Sequence, residues 1–167
     1  MTTVYVLRVI NILSAALTAG GLVMVLMALY PAIFLPLWWP FSKRVFKPKV
    51  VAEFHRSIDL LPDFYMRPST VISGLTALVI IVLLIARHGL TSFTAASMII
   101  GLIATMGVVV TSEFFNIPIN RIVHGWGDDA PPPEYGKMLA KWGFFHLVRT
   151  LSSLVALVCY TIAGVEH

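Results

Sequence analysis

Charge is what this chain has least of. Lys, Arg, Asp and Glu together make up 12% of its 167 residues, about half the roughly 25% usual in soluble domains. Apolar residues make up 58%, and the mean hydropathy is +0.88. A soluble globular domain is excluded, and the composition is that of an integral membrane protein. Cysteine is nearly missing too. The single Cys159 rules out an intramolecular disulfide or a thiolate cluster and reads as inert packing. No internal repeat is visible, which argues against a carrier built on inverted repeats. The formal charge of +4 concerns orientation in a membrane rather than nucleic acid.

What is present is hydrocarbon, in runs long enough to cross a bilayer, which takes about 20 residues. Four spans are expected, near 9–35, 68–86, 93–115 and 144–163. The first is too long for a secretory signal, and Pro31 and Pro36 stand where a cleavage site would be, so it reads as retained. Ala19-Gly20-Gly21, Gly101 and Gly107 would let helices approach closely. Between the first two spans, WWP and KRVFKPK suit an interfacial anchor. Val50, Val51, Phe54, Ile58 and Leu61 then form the apolar stripe of a short interfacial helix near 48–61, with His55 and Asp59 on its flank. Pro68 is expected to open the second span. The fold expected is all-α, an integral membrane four-helix bundle with an interfacial helix between the first and second spans, in one transmembrane domain over 1–167. Lys43, Arg44, Lys47, Lys49, Arg56 and Arg67 in the first loop and Arg121, Lys137 and Lys141 in the third face only Arg8 and Arg87 on the other side. The positive-inside rule therefore puts both termini outside the cytoplasm, in an inner or plasma membrane.

Polar chemistry concentrates between Ser112 and Thr150. Glu113, Asn116 and Asn120 succeed one another at helical spacing and should share a face, which Pro118 interrupts by kinking or ending the helix near Ile117. Trp142, His146 and Arg149 repeat the spacing at the start of the last span. The topology brings these two groups and His55 to the same membrane face. His146 is the candidate base, with Arg149, Asn116 and Asn120 as stabilisers of an enolate oxygen. Glu113 ends a long uncharged run and should be paired, protonated or facing a cavity, with Arg149 as its natural partner and His146 as the other. Such a pair either contacts substrate or only locks helices three and four, and both readings stay open. Trp142 and His55 are candidate substrate contacts, although Trp142 also suits an interfacial anchor and His55 a solvated flank. His124 reads as solvated loop. One imidazole at a helix start contributes little packing, so removing His146 should spare the fold.

The run NIPIN followed, after a proline-rich loop, by W-x3-H-x2-R-T (Trp142, His146, Arg149, Thr150) and a last apolar helix resembles the anthrone oxygenase family of small four-helix membrane proteins. The resemblance implies four transmembrane helices and, for some members, insertion of oxygen into an anthrone to give an anthraquinone. The function expected is a membrane-embedded oxidoreductase or oxygenase acting on a small apolar aromatic, anthrone- or quinone-like, that enters from the bilayer. Its chemistry is either cofactor-free, an electron-rich carbanion passing an electron to oxygen, or based on a single iron or copper ion held by His55, His146 and Glu113. Haem is disfavoured because only His146 falls clearly on a membrane helix. The alternative is a non-enzymatic membrane scaffold or subunit whose polar cluster is structural. Self-association as a homo-oligomer is left open.

Overall fold

With no water inside a bilayer to satisfy backbone groups, an apolar run of this length must pair its own N–H and C=O groups, and the α-helix is how one segment does so. The computed structural model describes residues 2–33, 47–88, 93–126 and 131–165, with side chains at all of these except 2, 29–33, 59–63 and 87–88. Every regular element among them is helical: α1 (Thr2–Ile33), α2 (Pro48–His88), α3 (Phe93–Thr111), a π-helical turn (Ser112–Asn116), α4 (Ile117–Gly125) and α5 (Tyr135–Val165). Four stretches are long and apolar enough to cross a membrane, Thr3–Ala28, Phe64–Ala86, Phe93–Gly125 and Tyr135–Val165. α1 packs on α2 and α5, and α3 packs on the same two, which closes a ring of four; the α2–α3 seam is the most loosely packed of its sides. Leu13, Leu75, Ile103 and Leu151 are more than half exposed on the outside of this ring, the arrangement expected where lipid is the solvent. The chain is an all-α, multi-pass four-helix bundle.

Close approach depends on two glycines. A Cβ on Gly21 would stand 2.7 Å from Met66 Sδ, and one on Gly101 would stand 2.5 Å from the Tyr160 ring. Buried hydroxyls and amides join the helices between them: Asn11 Nδ2 donates to the Ser73 carbonyl at 2.7 Å, Thr18 lies 2.9 Å from Ser69, and Thr105 lies 2.8 Å from the Tyr160 hydroxyl.

Several boundaries differ from the expectation, the first being that α1 begins at Thr2, about seven residues before the expected start of the first span. The amphipathic segment near 48–61 is helical and precedes the second span, but it runs into that span as one helix, and Pro68 does not open a new one. A membrane helix can carry a proline inside it when its surroundings hold the backbone, and here the helix continues through Pro68 with Ser69 and Thr70 donating their hydroxyls to the Met66 carbonyl within the same turn. Within this segment Val51, Ala52, His55 and Ile58 are buried while Val50 and Phe54 face outward, so His55 sits in the middle of the packed face and not on its flank. The third span continues through Pro118 to Gly125, and the last helix begins at Tyr135, about nine residues before the expected start. The tryptophan and lysine anchor over 37–46, the side chains of Asp59 and Leu61, the turn at Gly89 and residues 127–130 of the proline-rich connection lie outside the described residues.

Candidate functional site

Pro118 determines the local backbone. It has no N–H to give, and in an α-helix its ring would press on the carbonyl one turn earlier. The chain widens by one residue there, so that the Ile117 N–H reaches back to the Ser112 carbonyl, an i to i+5 bond. The extra residue rotates the helix before the turn by about 100° relative to the helix after it, one residue's share of a 3.6-residue turn. Glu113 is consequently exposed, whereas Asn116 and Asn120 are buried. The single face expected for all three is broken.

Each buried member of this group grips another element. Asn116 Nδ2 donates to the Trp142 carbonyl at 3.1 Å, which ties the π turn to α5. His146 is fully buried. Its Nδ1 accepts from Arg149 Nε at 3.0 Å and Nη2 at 2.6 Å, and its Nε2 lies 3.0 Å from the Leu22 carbonyl. A guanidinium only donates and a carbonyl only accepts, so His146 is the neutral tautomer with its proton on Nε2. Arg149 also donates to Ser112 Oγ at 3.4 Å and lies 5.9 Å over the Trp142 ring.

Trp142 is a core residue, 1% exposed, because α5 starts early enough to carry it two turns inside the helix. It is no interfacial anchor. Its indole stacks on His146 at 4.7 Å and meets His55 edge-on at 4.6 Å, so it stands between the two histidines. His55 Nε2 donates to Asn120 Oδ1 at 3.2 Å, and its Nδ1 faces the Tyr135 hydroxyl at 3.5 Å. Burial pushes the His55 pKa down to about 4; the bond to Asn120 opposes this, and the charges of His124 and Arg149 add to it.

A cavity of about 160 Å³ lies against this network. Thr18, Leu22, Met66, Thr70, Val108 and Ile117 form its mainly apolar wall, and Asn120 and Arg149 supply polar groups to that wall. Arg67 and Val71 of α2, with Val109, Ser112 and Glu113 across the seam, form a more exposed rim. Arg149, Asn120 and Glu113 are thus brought to one space. His146, Asn116, Trp142 and His55 stand behind it and do not line it. Glu113 is at the rim with its side chain exposed, not folded onto Arg149 or His146 as a buried pair. Among the described residues no three His, Cys, Asp or Glu side chains are placed to hold a metal ion; the His55, His146 and Glu113 set is divided by the Trp142 indole and the exposure of Glu113.

Several residues of this site carried weak signals or none. Arg67 beside Pro68 at the head of an apolar run, and Thr18 and Thr70 within such runs, were visible as polar interruptions but had no partner in the sequence. Tyr135 comes after three prolines and reads as loop. The Leu22 carbonyl has no side-chain signature at all.

No curated protein and no solved structure matches the chain. A family model described as anthrone oxygenase matches residues 63–159, more than half of the chain, and this stretch contains the π turn, the Trp142, His146 and Arg149 array and both walls of the α2–α3 seam. By that match the chain belongs to the anthrone oxygenase family.

Proposed function

We propose that this protein is a membrane-embedded oxidoreductase that oxidises a small apolar aromatic of the anthrone type, drawn from the bilayer through the α2–α3 seam. The observation that carries the reading is one apolar-walled cavity bordered by a guanidinium, an amide and a carboxylate, those of Arg149, Asn120 and Glu113. An anthrone has an acidic C–H opposite its ketone. Removal of that proton places negative charge on the ketone oxygen, and a cation and amide in a dry site stabilise such a charge far better than water does. The carbanion passes one electron to dioxygen and recombines as a peroxide. Loss of water then gives the quinone, so anthrone and O₂ yield anthraquinone and H₂O with no outside reductant. Arg149 and Asn120 fit the oxyanion role.

Glu113 at the rim fits the proton acceptor better than His146, whose two nitrogens are both engaged and which does not reach the cavity. His146 and Asn116 fit a positioning role, holding Arg149 and α5 in place. The basic first and third loops support a cytoplasmic position for this end of the bundle. The scaffold reading has its own support: the bonds from His146 to the Leu22 carbonyl and from Asn116 to the Trp142 carbonyl join separate helices and would serve a lock equally well.

Oxygen uptake with an anthrone, measured on protein in detergent, tests the proposal. Wild type should consume oxygen above the spontaneous rate. Arg149→Lys should lose most of that excess, since a lysine keeps the charge but not the planar fork, and Glu113→Gln should shift the pH profile. Wild-type rates in Arg149→Ala, with the fold intact, would remove the site. No turnover of any oxidisable aromatic would favour the scaffold.

A further inference from the structure

The cavity has about 160 Å³, close to the roughly 150 Å³ of an engineered apolar cavity that takes one benzene. An anthrone has three fused rings. Only one of them fits inside, and the remainder must lie across the rim, between the exposed Val71 of α2 and the half-buried Val109 of α3. What the protein reads is therefore a single ring and its oxygens. We infer that this cavity is a binding site for the phenolic end of a membrane-soluble amphiphile, one hydroxylated aromatic ring inside and an apolar body of any shape outside, so that single-ring alkylphenols are ligands as well as tricycles. This deepens the reading above, because it concerns the same site and names the part of the substrate that is recognised.

The wall chemistry fits a phenol in particular. Thr70 hands its hydroxyl proton to the Met66 carbonyl at 2.7 Å, so its oxygen is left as an acceptor, which suits an O–H that donates. Thr18 beside it is tied into the hydroxyl chain with Ser69 and Thr70, at 2.9 Å and 3.2 Å. Arg149 presents a positive charge to the same space, which suits an oxygen that accepts or is ionised. Arg149 is already bonded to His146 and Ser112, so what it adds to the space is charge, which favours a ring that carries an oxygen over one that carries none. The two valines of the rim set little limit on the body, since a chain lying between Val71 and Val109 trades lipid contact for valine contact at almost no net gain, while Arg67, Ser112 and Glu113 keep the rest of the rim polar.

Binding to the full chain in detergent micelles tests this apart from any turnover, with 4-butylphenol as probe and 4-butylanisole and butylbenzene as controls, read as ligand-dependent thermal shift and equilibrium dialysis. The phenol should bind saturably, the ether and the hydrocarbon at least ten-fold more weakly, and anthrone should displace the phenol in competition. Arg149→Gln should weaken the phenol roughly ten- to a hundred-fold, the range for losing a hydrogen bond to a charged group. If that variant does not fold, Val71→Trp on the outer rim, where the native valine is 56% exposed, should close the entrance and lose binding while keeping the helix. Equal binding of phenol and ether, binding of tricycles alone, or unchanged binding in Val71→Trp would overturn the inference. Saturable phenol binding without anthrone oxidation would sustain it and count against the oxidase. Anthrone oxidation without phenol binding would do the reverse.

Discussion

Replacing His146 tests what holds the site together. In the structure its imidazole is wholly buried, accepts two N–H groups of Arg149 at 3.0 Å and 2.6 Å, donates to Leu22 at 3.0 Å and stacks on Trp142. His146→Ala removes a hydrogen bond to a charged group, about 1.5–3 kcal/mol, and a cross-helix bond of about 0.6 kcal/mol on the scale measured inside membranes. It also opens a gap beside the indole. The expected loss is about 3 kcal/mol of unfolding free energy, against the near-neutral effect expected of an imidazole at a helix start. His146→Gln separates the causes: its amide oxygen can accept from Arg149 while its amide nitrogen donates to Leu22, so it should recover more than half of the loss. Reversible unfolding by denaturant in mixed micelles, followed by tryptophan fluorescence, measures both. An alanine variant within about 0.5 kcal/mol of wild type, the range of an ordinary surface change, or a glutamine variant no better than alanine, would refute this account of the network.

Lowering the pH should destabilise the protein through His55. Its folded pKa of about 4 lies below the ordinary 6.5, so the unfolded chain binds a proton first, and stability falls as the pH drops from 6.5 toward 4 by at most roughly 3 kcal/mol. His55→Gln should flatten that slope in an unfolding series at pH 7, 5.5 and 4.5, and an unchanged slope would exclude His55 as its source. Gly101→Ala should cost about 1–3 kcal/mol, because its Cβ would stand 2.5 Å and 2.8 Å from Tyr160 ring carbons. Gly20→Ala, with nothing within 4 Å of the new carbon, should be neutral or stabilise by up to about 1 kcal/mol, and equal losses at the two positions would disprove the packing given for Gly101. Pro118→Ala should restore an α-helical register, return Glu113 toward the face of Asn120 and break the bond from Asn116 to the Trp142 carbonyl. The readouts are altered anthrone oxidation and faster proteolysis near Trp142, and a variant indistinguishable from wild type in both would show that the π turn does not depend on the proline.

The four membrane crossings and the order of polar elements were legible because both derive from hydropathy and loop length, which need no partner. Helix ends were not. Pro68 and Pro118 carry the local signal of a boundary, and in each case packing on both sides of the proline outweighs the lost hydrogen bond. Burial was the harder quantity. Periodicity puts His55 on a flank and Trp142 at headgroup level, yet each is buried by the other, by Tyr135 and by His146, contacts between segments far apart in sequence. Glu113, Asn116 and Asn120 have correct helical spacing, and the spacing misleads because one added residue at the π turn shifts the phase between the first of them and the last.

The lengths of the helices bear on where the cavity can open. The stretch Phe93–Gly125 has 33 residues, roughly 50 Å at 1.5 Å per residue, and a bilayer core is about 30 Å thick. The surplus projects past the membrane as α4. There Ile119 and Val123 pack with Val51, Ala52 and Ile58 of α2 and with Tyr135, Leu139 and Trp142 of α5 in a second hydrophobic cluster. The cluster includes the interfacial part of α2, whose Val51, Ala52 and Ile58 pack on the bundle. It stands on the loop side of Arg149, where a water-filled entrance would otherwise be. Water reaching a guanidinium would cut its attraction for an oxyanion severalfold, from the low-dielectric value toward the value in bulk. The loosely packed α2–α3 seam borders the same cavity, with Val71 and Val109 beside Arg67, Ser112 and Glu113. A route along that seam would suit an apolar ligand better than an ion, which is the entry the proposed function calls for, and it would leave the charge of Arg149 effective.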